Sequence, residues 1–296
     1  MRFTIIANPR SGRGKASKLA HALEQLADAR GHLINTIFVG PQWQLEDEQI
    51  CESDRLIIVG GDGTVHHMLR QLARTQTPFY HLATGTANLI ALAFRMSSRP
   101  SRAIQQLETD CQPSRIDLPE CNGHPFLIMT SLGMDASVIH RLEESRTLGG
   151  FRAYIRPVIR EVLSPRIARL RVTIDDESFD CKPGVLVVAN LPNYGGHFNP
   201  CRGACCDDSL LDIANIPGTT SLGVGVRYLS LLARLPAAKL ARGSIVRVEA
   251  VDDSHIQIDG EKPKAIASLL TPGATLEFRM SESSVYAHAP RLRGGS

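Results

Sequence analysis

The sequence predicts two domains of different class, an N-terminal α/β domain with a parallel sheet and a mostly antiparallel β-sandwich domain after it. Three observations support this prediction. The chain has 296 residues, roughly twice the commonest domain length. Over about the first 115 residues, apolar strand-like runs alternate with helix-like segments, the pattern of a parallel sheet covered by helices. After Cys121, short strand-like runs predominate, as in an antiparallel β-layer.

The N-terminal half contains strands and helices in regular alternation. The strand-like runs cover residues 3–7, 34–39, 56–59 and 79–83. The helix-like segments cover residues 16–30, 68–73 and 87–94. The strand-like runs are apolar without a polar alternation, so we expect helices on both faces of the sheet. Ligands of such sheets bind at the carboxyl ends of the strands, which makes the turns that follow these strands the candidate site.

The C-terminal half is dominated by strand candidates, interrupted by one helix-like insertion at about residues 137–163. The strand candidates cover residues 126–130, 170–174, 184–189, 210–216, 245–251, 255–258 and 275–278. Pro119, Asn122 and Gly123 cluster where the pattern changes. We therefore predict an α/β domain at 1–120, a β-sandwich domain at 121–285, and a tail at 286–296 that packs back on the first domain.

Composition narrows the functional classes. A net charge of +3 and only 5% aromatic residues give no support for nucleic-acid binding. The seven cysteines form neither a disulfide framework nor a zinc pattern, which favours a reducing compartment and ordinary buried thiols. No apolar run reaches the roughly 18 residues of a membrane-spanning helix. We expect a cytoplasmic protein that is at most peripheral to a membrane.

Three glycine-rich turns in the first half each follow a strand and precede a helix. The first turn is NPRSGRGK at 8–15, the second is GGDGT at 60–64, and the third is TGTAN at 84–88. All three are expected at the same edge of the sheet. Glycines allow backbone N–H groups to approach an anion closely, and each following helix N-terminus adds partial positive charge. The three turns together predict a polyphosphate site, although none is a Walker A loop or a GxGxxG motif.

Asp62 lies in the second turn, where a carboxylate would repel a phosphate. A divalent cation between the carboxylate and the phosphate removes that repulsion. Asp62 therefore predicts that the ligand is a magnesium-nucleotide complex.

The motifs, taken in order, resemble those of the diacylglycerol kinase catalytic-domain family, which includes bacterial diacylglycerol and related lipid kinases, sphingosine kinases and ceramide kinases. The resemblance is carried by NPRSG near the N-terminus, GGDGT at 60–64, GTAN at 85–88, SLGMDASV at 131–138, the segment 194–212 that ends in DDSLLD, and IDGE at 258–261. GGDGT alone is shared with NAD kinases. The ordered set is specific to the lipid-kinase branch and covers most of the chain.

This resemblance implies an NAD kinase/diacylglycerol kinase-like fold and an ATP- and Mg²⁺-dependent lipid kinase. The acceptor would be the hydroxyl of diacylglycerol or of a related lipid alcohol, reached at a membrane surface. It assigns Asp259 as the base that activates the hydroxyl, Glu261 as its support or as a cation ligand, and Asp62, Asp208 and Asp212 as metal ligands. The nucleotide contacts are assigned to Asn8, Ser11, Gly60, Gly61, Asp62, Gly63, Thr64, Gly85 and Thr86.

Several alternatives stay open at this point. Asp259 and Gly260 also fit the centre of a type I′ hairpin turn, and Asp208 and Asp212 also fit ordinary surface turns. Leu89 stands where the family has an aspartate. The family usually continues GGDGT with a hydrophobic residue, Asn and Glu, whereas here Val65 is followed by His66 and His67. These departures motivate a catalytically impaired nucleotide- or lipid-binding regulator as an alternative, with an NAD kinase-like enzyme third.

Membrane contact and oligomeric state are less constrained. The segment 222–240 mixes apolar residues with cations, and arginines recur through the helix-like insertion. Both patterns fit either an anionic membrane surface or an amphipathic helix packed on the core. A homodimer is compatible with the sequence, which does not fix the oligomeric state.

Overall fold

A computed structural model describes residues 1–40, 43, 45–144, 167–192, 199–220, 223–224, 226–227, 230, 238–264 and 266–289. The chain divides into two compact units. The first unit comprises Met1–Ile116 and the segment from Ser283 onward, and the second unit is Asp117–Glu282. The sequence placed these boundaries slightly later, at 120 and 285. The two classes of secondary structure expected from the sequence, parallel α/β and antiparallel β, are both present.

The sheet of the first unit is parallel and has the strand order β2-β1-β3-β4. Its strands are β1 (Arg2–Ala7), β2 (Leu33–Phe38), β3 (Arg55–Gly60) and β4 (Phe79–Ala83). The register pairs Ala7 with Phe38 and Val59, and Gly60 with Ala83, so the carboxyl ends of the strands are nearly level. The turns that follow β1, β3 and β4 therefore leave the sheet at one edge, as the sequence predicted.

The helices of the first unit present apolar faces to its core. They are α1 (Lys15–Asp28), α2 (Asp47–Cys51), α3 (Asp62–Thr75), α4 (Leu89–Ala93) and α5 (Pro100–Glu108), and a short 3₁₀ segment covers Ser11–Gly14. In α3 the buried residues Val65, Met68, Leu69 and Leu72 follow the i, i+3, i+4, i+7 spacing of one helix face. The prediction started this helix too late, at residue 68, because polar His66 and His67 obscure the periodicity of its first turns.

The second unit contains two antiparallel layers. One sheet has the order β12-β11-β10-β7-β14-β15, and the other contains β9-β8-β13-β16 with β5 and β6 beside β16. The strands are β5 (Ser114–Cys121), β6 (His124–Pro125), β7 (Met129–Leu132), β8 (Leu170–Ile174), β9 (Glu177–Phe179), β10 (Gly184–Ala189), β11 (Leu211–Pro217), β12 (Lys239–Gly243), β13 (Ile245–Ala250), β14 (Ser254–Ile258), β15 (Leu269–Leu270) and β16 (Thr275–Ala287). Leu186, Val188 and Ile213 of one sheet share a buried cluster with Val172, Val246 and Phe278 of the other. This packing is the predicted sandwich.

Two helix predictions in the second half are only partly covered by the described residues. The insertion predicted at about 137–163 begins earlier, as α6 (Met134–Glu144), and residues 145–166 lie outside the described part. Most of 222–240 also lies outside it. The helical interpretation of this segment is wrong at its end, because Lys239 and Leu240 belong to β12, where they pair with Asn215 and Ala214.

The tail was expected to pack on the first domain. Ala287 lies opposite Phe79 in a parallel pairing of β16 with β4, and His288 N–H donates to the carbonyl of Phe79 at 2.7 Å. Ser114 Oγ donates to the carbonyl of Ala289 at 2.9 Å. Residues 283–289 thus belong to the first unit, and residues 290–296 lie outside the described part.

Candidate functional site

The three turns of the first unit touch one another. Ser11 Oγ of the first turn and Thr84 Oγ1 of the third are hydrogen-bonded at 2.8 Å. A Cβ built on Gly12 would lie 2.7 Å from the carbonyl oxygen of Thr84, and one built on Gly85 would lie 3.1 Å from Cα of Gly61. Side chains at these glycines would fill the space in which the turns meet. The convergence predicted from the sequence is confirmed, and the Thr84 hydroxyl, which the resemblance does not assign to the nucleotide, joins the third turn to the first.

Gly60 is required by the second turn itself. A Cβ at this position would lie 2.2 Å from Oγ1 of Thr64, far inside any real contact. Thr64 is buried, and its hydroxyl accepts a hydrogen bond from Asn8 Nδ2 at 3.3 Å, which joins the second turn to the first. Thr84 N–H donates to the carbonyl of Gly60 at 2.7 Å and joins the third turn to the second. The backbone of the site is therefore fixed by contacts among its own turns rather than by long side chains.

Asp62 bridges two of these turns. It is the first residue of α3, and its side chain reaches the start of α4. Oδ2 accepts the N–H of Leu89 at 2.9 Å and Oδ1 accepts the N–H of Ile90 at 3.1 Å. The carboxylate thus satisfies two of the N–H groups that every helix start leaves without an intrahelical partner. Its side chain is 11% exposed. A carboxylate has about four acceptor sites, so these two bonds leave capacity for a cation.

Leu89 is the departure from the family pattern, and its position explains how the turn tolerates it. Its side chain is buried, while its backbone N–H binds Asp62. The contribution of residue 89 to the site is therefore made by the main chain, which any residue type supplies. The missing aspartate removes one carboxylate without releasing Asp62.

His81 was missed by sequence interpretation. It lies in the middle of β4, is fully buried, and its Nε2 is 3.0 Å from the carbonyl oxygen of Gly60. The carbonyl can only accept, so Nε2 carries the proton. Nδ1 lies 3.9 Å from Oδ1 of Asp62, and burial lowers the pKa of the imidazole. A polar residue inside the apolar run FYHLA, directly before the third turn, is the signal that could have identified it.

His66 and His67 are on α3, close to the second turn. Their rings are 6.0 Å apart in an edge-to-face arrangement, and the ring of His67 lies 5.0 Å from that of Trp43. Within the described part of the chain, no group of three or more His, Cys, Asp or Glu side chains is arranged to hold a metal ion. The geometry gives these histidines an aromatic packing role.

In the second unit, Asp259 is held by the backbone of residues 127–129. Oδ2 accepts the N–H of Leu127 at 2.8 Å, and Oδ1 accepts those of Ile128 at 2.8 Å and Met129 at 3.1 Å. The residue is buried and has a left-handed φ of 50°. Three N–H donors fix the carboxylate in one orientation.

The turn that carries Asp259 has the local geometry of a hairpin. Ile258 and Glu261 exchange backbone hydrogen bonds of 2.9 Å, and both central residues have positive φ, 50° for Asp259 and 79° for Gly260. Positive φ at both positions is the requirement of a type I′ turn. Gln257 Oε1 accepts the N–H of Gly260 at 2.7 Å and reinforces it. The type I′ turn is therefore compatible with the assignment of Asp259 as a site residue. Glu261 lies at the end of this turn.

Asp208 and Asp212, the other predicted metal ligands, share a guanidinium. Nη2 of Arg242 lies 2.5 Å from Oδ2 of Asp208, and Nε of the same side chain lies 2.9 Å from Oδ1 of Asp212. Burial raises the pKa of Asp212, and the hydrogen bond from Arg242 lowers it. Arg242 thus supplies the positive charge that this carboxylate pair requires. The assignment of Asp208 and Asp212 as metal ligands stays a prediction.

The cysteines are free thiols in the described structure. Burial raises the pKa of Cys206 to about 12 and that of Cys121 to about 12, so both are held as protonated, unreactive thiols. Cys201 is buried as well, and the pKa of its thiol is likewise raised by burial. The geometry of these three residues agrees with the expectation of ordinary buried thiols.

The first-unit site fits a magnesium-bound nucleotide. It combines closely packed glycine turns, the start of α3, hydroxyl groups from Ser11, Thr84 and Thr64, and the single carboxylate of Asp62. Mg²⁺ in nucleotide sites is commonly held by one or two carboxylates together with phosphate oxygens and water, so a dedicated protein cage is not required. Asp62 is the residue that would hold the ion.

Both halves of the chain match models of known protein families. The model of the diacylglycerol kinase catalytic domain matches residues 2–121, and that of the YegS C-terminal NAD kinase beta sandwich-like domain matches residues 129–274. A Pseudomonas fluorescens protein named probable lipid kinase YegS-like is 30% identical over 260 residues, covering 82% of this chain and 80% of its own. A diacylglycerol kinase from Mycobacterium tuberculosis is 28% identical over 222 residues and covers 72% of each chain.

A solved structure extends the likeness to the fold. The crystal structure of a diacylglycerol kinase from Bacillus anthracis has a TM-score of 0.66 at 17% identity, covering 97% of this chain and 95% of its own. The described part of this chain contains no helix long and apolar enough to cross a membrane. On its motifs, its two matching domain models and its YegS-like relative, the chain belongs to the diacylglycerol kinase catalytic-domain family of lipid kinases.

Proposed function

We propose that this protein transfers the γ-phosphoryl group of ATP, as its magnesium complex, to the hydroxyl of diacylglycerol or a related lipid alcohol. The observation that carries the proposal is the contact among the three turns, with Asp62 bound across two of them. Family membership supplies the lipid acceptor, since the relatives named above are a lipid kinase and a diacylglycerol kinase.

The first unit positions the donor in this proposal. Backbone N–H groups of the second and third turns and the hydroxyls of Ser11 and Thr86 bind phosphate oxygens. The start of α3 adds partial positive charge at the same place. Magnesium supplies charge neutralisation of the phosphates. Phosphoryl transfer depends mainly on such positioning and electrostatic stabilisation, so a site built from fixed backbone is well suited to it.

The acceptor half of the reaction is assigned to Asp259. The lipid oxygen forms a bond to the γ-phosphorus, the bond from that phosphorus to the bridging oxygen of ADP breaks, and the hydroxyl proton passes to the Asp259 carboxylate. The three backbone bonds to this carboxylate support the assignment because they hold it in a fixed orientation. Glu261 is proposed to support it from the other end of the turn.

The proposal is tested by a lipid screen with the purified full-length protein. Diacylglycerols of several chain lengths, ceramide, sphingosine and monoacylglycerol are each presented in mixed vesicles with ATP, with magnesium varied, and products are detected by mass spectrometry. We expect a phosphorylated lipid that requires magnesium. Asp259→Asn should lower kcat on the order of a hundredfold or more while leaving nucleotide affinity unchanged.

The same screen separates the alternatives. Intact nucleotide binding without any lipid product would replace the kinase with a nucleotide- or lipid-binding regulator, the alternative that Leu89 motivates. Formation of NADP from NAD under the same conditions would indicate an NAD kinase-like enzyme instead.

A further inference from the structure

The first unit contains a cavity of about 640 Å³ beside the third turn, which the site described above does not use. Its lining residues come from the end of β4, the third turn, α4 and the segment after it, and α5 with the residue after it: Ala83, Ala87, Asn88, Ala91, Leu92, Arg95, Met96, Ser97, Ser98, Arg102, Gln105, Gln106 and Thr109. This volume lies within the range of sites for small organic ligands. None of the residues assigned to the nucleotide lines it.

The cavity is positively charged. Arg95 and Arg102 both line it, and no acidic residue does. Within the described residues neither guanidinium has an ion pair, in contrast to Arg242 and Arg247, which each bridge two carboxylates. Two uncompensated guanidiniums facing one cavity favour an anion, and their planar donors match a phosphate group in particular.

One side of the remaining wall, formed by Ala87, Ala91, Leu92 and Met96, is apolar, the other side is polar, and neither side has aromatic rings. Ala91 and Met96 are buried behind the cavity, while Leu92 is 51% exposed. No Phe, Tyr or Trp lines the cavity, so a planar base would have no ring to stack on. An aliphatic group fits the apolar side of the wall better than a planar base does.

The backbone of Arg95 is held by a partly buried hydrogen-bond network, and its side chain is exposed. Gln106 Nε2 donates to the carbonyl of Arg95 at 3.1 Å, the Tyr80 hydroxyl donates to Gln106 Oε1 at 2.5 Å, and Ser97 N–H donates to the Tyr80 oxygen at 2.7 Å. Arg95 itself has a φ of 52°, in the left-handed region that favours glycine. An arginine is thus kept at the end of α4 in a backbone conformation better suited to glycine.

Asn88 adds an acceptor at the cavity's border with the third turn. Its Nδ2 donates to the carbonyl of Gly85 at 3.0 Å, whereas its buried Oδ1 has no hydrogen-bond partner among the described residues. A hydroxyl donor on a ligand would satisfy this oxygen.

We propose that this cavity binds a phosphate monoester of a lipid alcohol, with the phosphate on Arg95 and Arg102 and the aliphatic part along Leu92. Binding of such an anion does not rest on the proposed kinase activity. If the protein also has the proposed kinase activity, the ligand of the cavity belongs to the same chemical class as the phosphorylated lipid that the reaction forms. The cavity is then a second binding site for that product.

The test is calorimetric titration of the full-length protein, without ATP, using water-soluble dihexanoyl phosphatidic acid. Arg95→Gly removes one guanidinium while giving residue 95 the amino acid that its φ favours, and Arg102→Gln removes the other from the surface of α5. Arg99→Gln is the matched control, because Arg99 is exposed on the same segment but does not line the cavity. We expect each cavity variant to weaken binding about tenfold or more, and the control to bind like the wild type.

Further ligands identify which part of the molecule is recognised. Neutral dihexanoylglycerol should bind at least about tenfold more weakly, and so should glycerol phosphate and inorganic phosphate, which lack the aliphatic part. Tight binding of inorganic phosphate alone would overturn the lipid assignment. An Arg99→Gln variant that loses as much affinity as the cavity variants would show non-specific charge attraction and overturn the site. Asp259→Asn, whose side chain contacts residues 127–129 of the second unit and does not line the cavity, should bind normally even if it transfers no phosphate, which separates failure of this proposal from failure of the kinase proposal.

Discussion

At the scale of single residues, the site depends on close approach of backbone rather than on reactive side chains. Gly60 packs against Thr64, Gly12 against Thr84, and Gly85 against Gly61. Asp62 then closes the arrangement by binding the start of α4. Substitutions at this scale should therefore act through steric conflict as much as through lost chemistry.

Gly60→Ala tests the steric requirement. The added methyl group would lie 2.2 Å from Oγ1 of Thr64 and must displace the second turn. We expect the free energy of unfolding to fall by about 1–3 kcal/mol and nucleotide affinity to fall with it. Chemical denaturation and nucleotide titration measure the two effects. Gly40→Ala is the control, because a Cβ at Gly40 meets nothing within 4 Å; equal losses in both variants would contradict the account.

At the scale of elements, the carboxylate of Asp175 fixes the connection between β12 and β13 of the second unit. Asp175 Oδ1 accepts the N–H of Ile245 at 2.9 Å and the N–H of Ser244 at 3.0 Å, and it also accepts the Ser244 hydroxyl. The backbone hydrogen bond from Ile245, with further bonds from Ser244, lowers the pKa of Asp175 below its ordinary 3.8. The stabilisation is present above that value and is lost as the pH falls through the lowered pKa.

Asp175→Asn should accordingly lower Tm by about 2–4 °C at pH 7. Asparagine tolerates the left-handed φ of 48° at this position, so the comparison isolates the charge. The difference in Tm between wild type and variant should shrink as the pH falls below 3.8, as measured by thermal denaturation at a series of pH values. A difference that stays constant down to pH 2.5 would argue against the carboxylate. Ser244→Ala removes one donor only and should have a smaller effect.

Arg242 tests the metal assignment of Asp208 and Asp212. Arg242→Gln leaves two neighbouring carboxylates without their guanidinium, and we expect Tm to fall by several degrees. Magnesium should then raise the Tm of the variant but not that of the wild type. Arg171→Gln, which breaks an exposed pair with Glu249, is the control and should change Tm little. A wild-type Tm that rises with magnesium as much as that of the variant would support the metal-site prediction instead.

The sequence predicted strands and turns well where their signal lies in neighbouring residues. Apolar runs identified the parallel strands, and Asp259-Gly260 indicated a type I′ turn, because both signals lie within a few residues. The partners of Asp259 lie 130 or more residues away, and Arg242 lies 34 residues from Asp208. No periodicity encodes such pairings. β12 was missed because its exposed Leu240 and its cations resemble one face of a helix.

At the scale of the whole molecule, the two domain classes follow from composition and strand pattern, whereas the chemistry follows from motifs placed on them. The order of the motifs indicated the family, and the turns that carry the first three of them meet in the first unit. The resemblance supplied the residue roles in the second unit, where the structure shows how Asp259 is held. Activity therefore has to be measured on the intact chain.

The most direct measurement is transfer of label from γ-³²P-ATP to diacylglycerol in mixed vesicles, with wild type and Asp62→Asn in parallel and with and without magnesium. The account predicts magnesium-dependent labelled lipid for the wild type and a loss on the order of a hundredfold or more for the variant, since Asp62 both holds the ion and joins the second turn to α4. A variant that labels lipid as fast as the wild type, or a wild-type protein that binds ATP and labels no lipid, would contradict it.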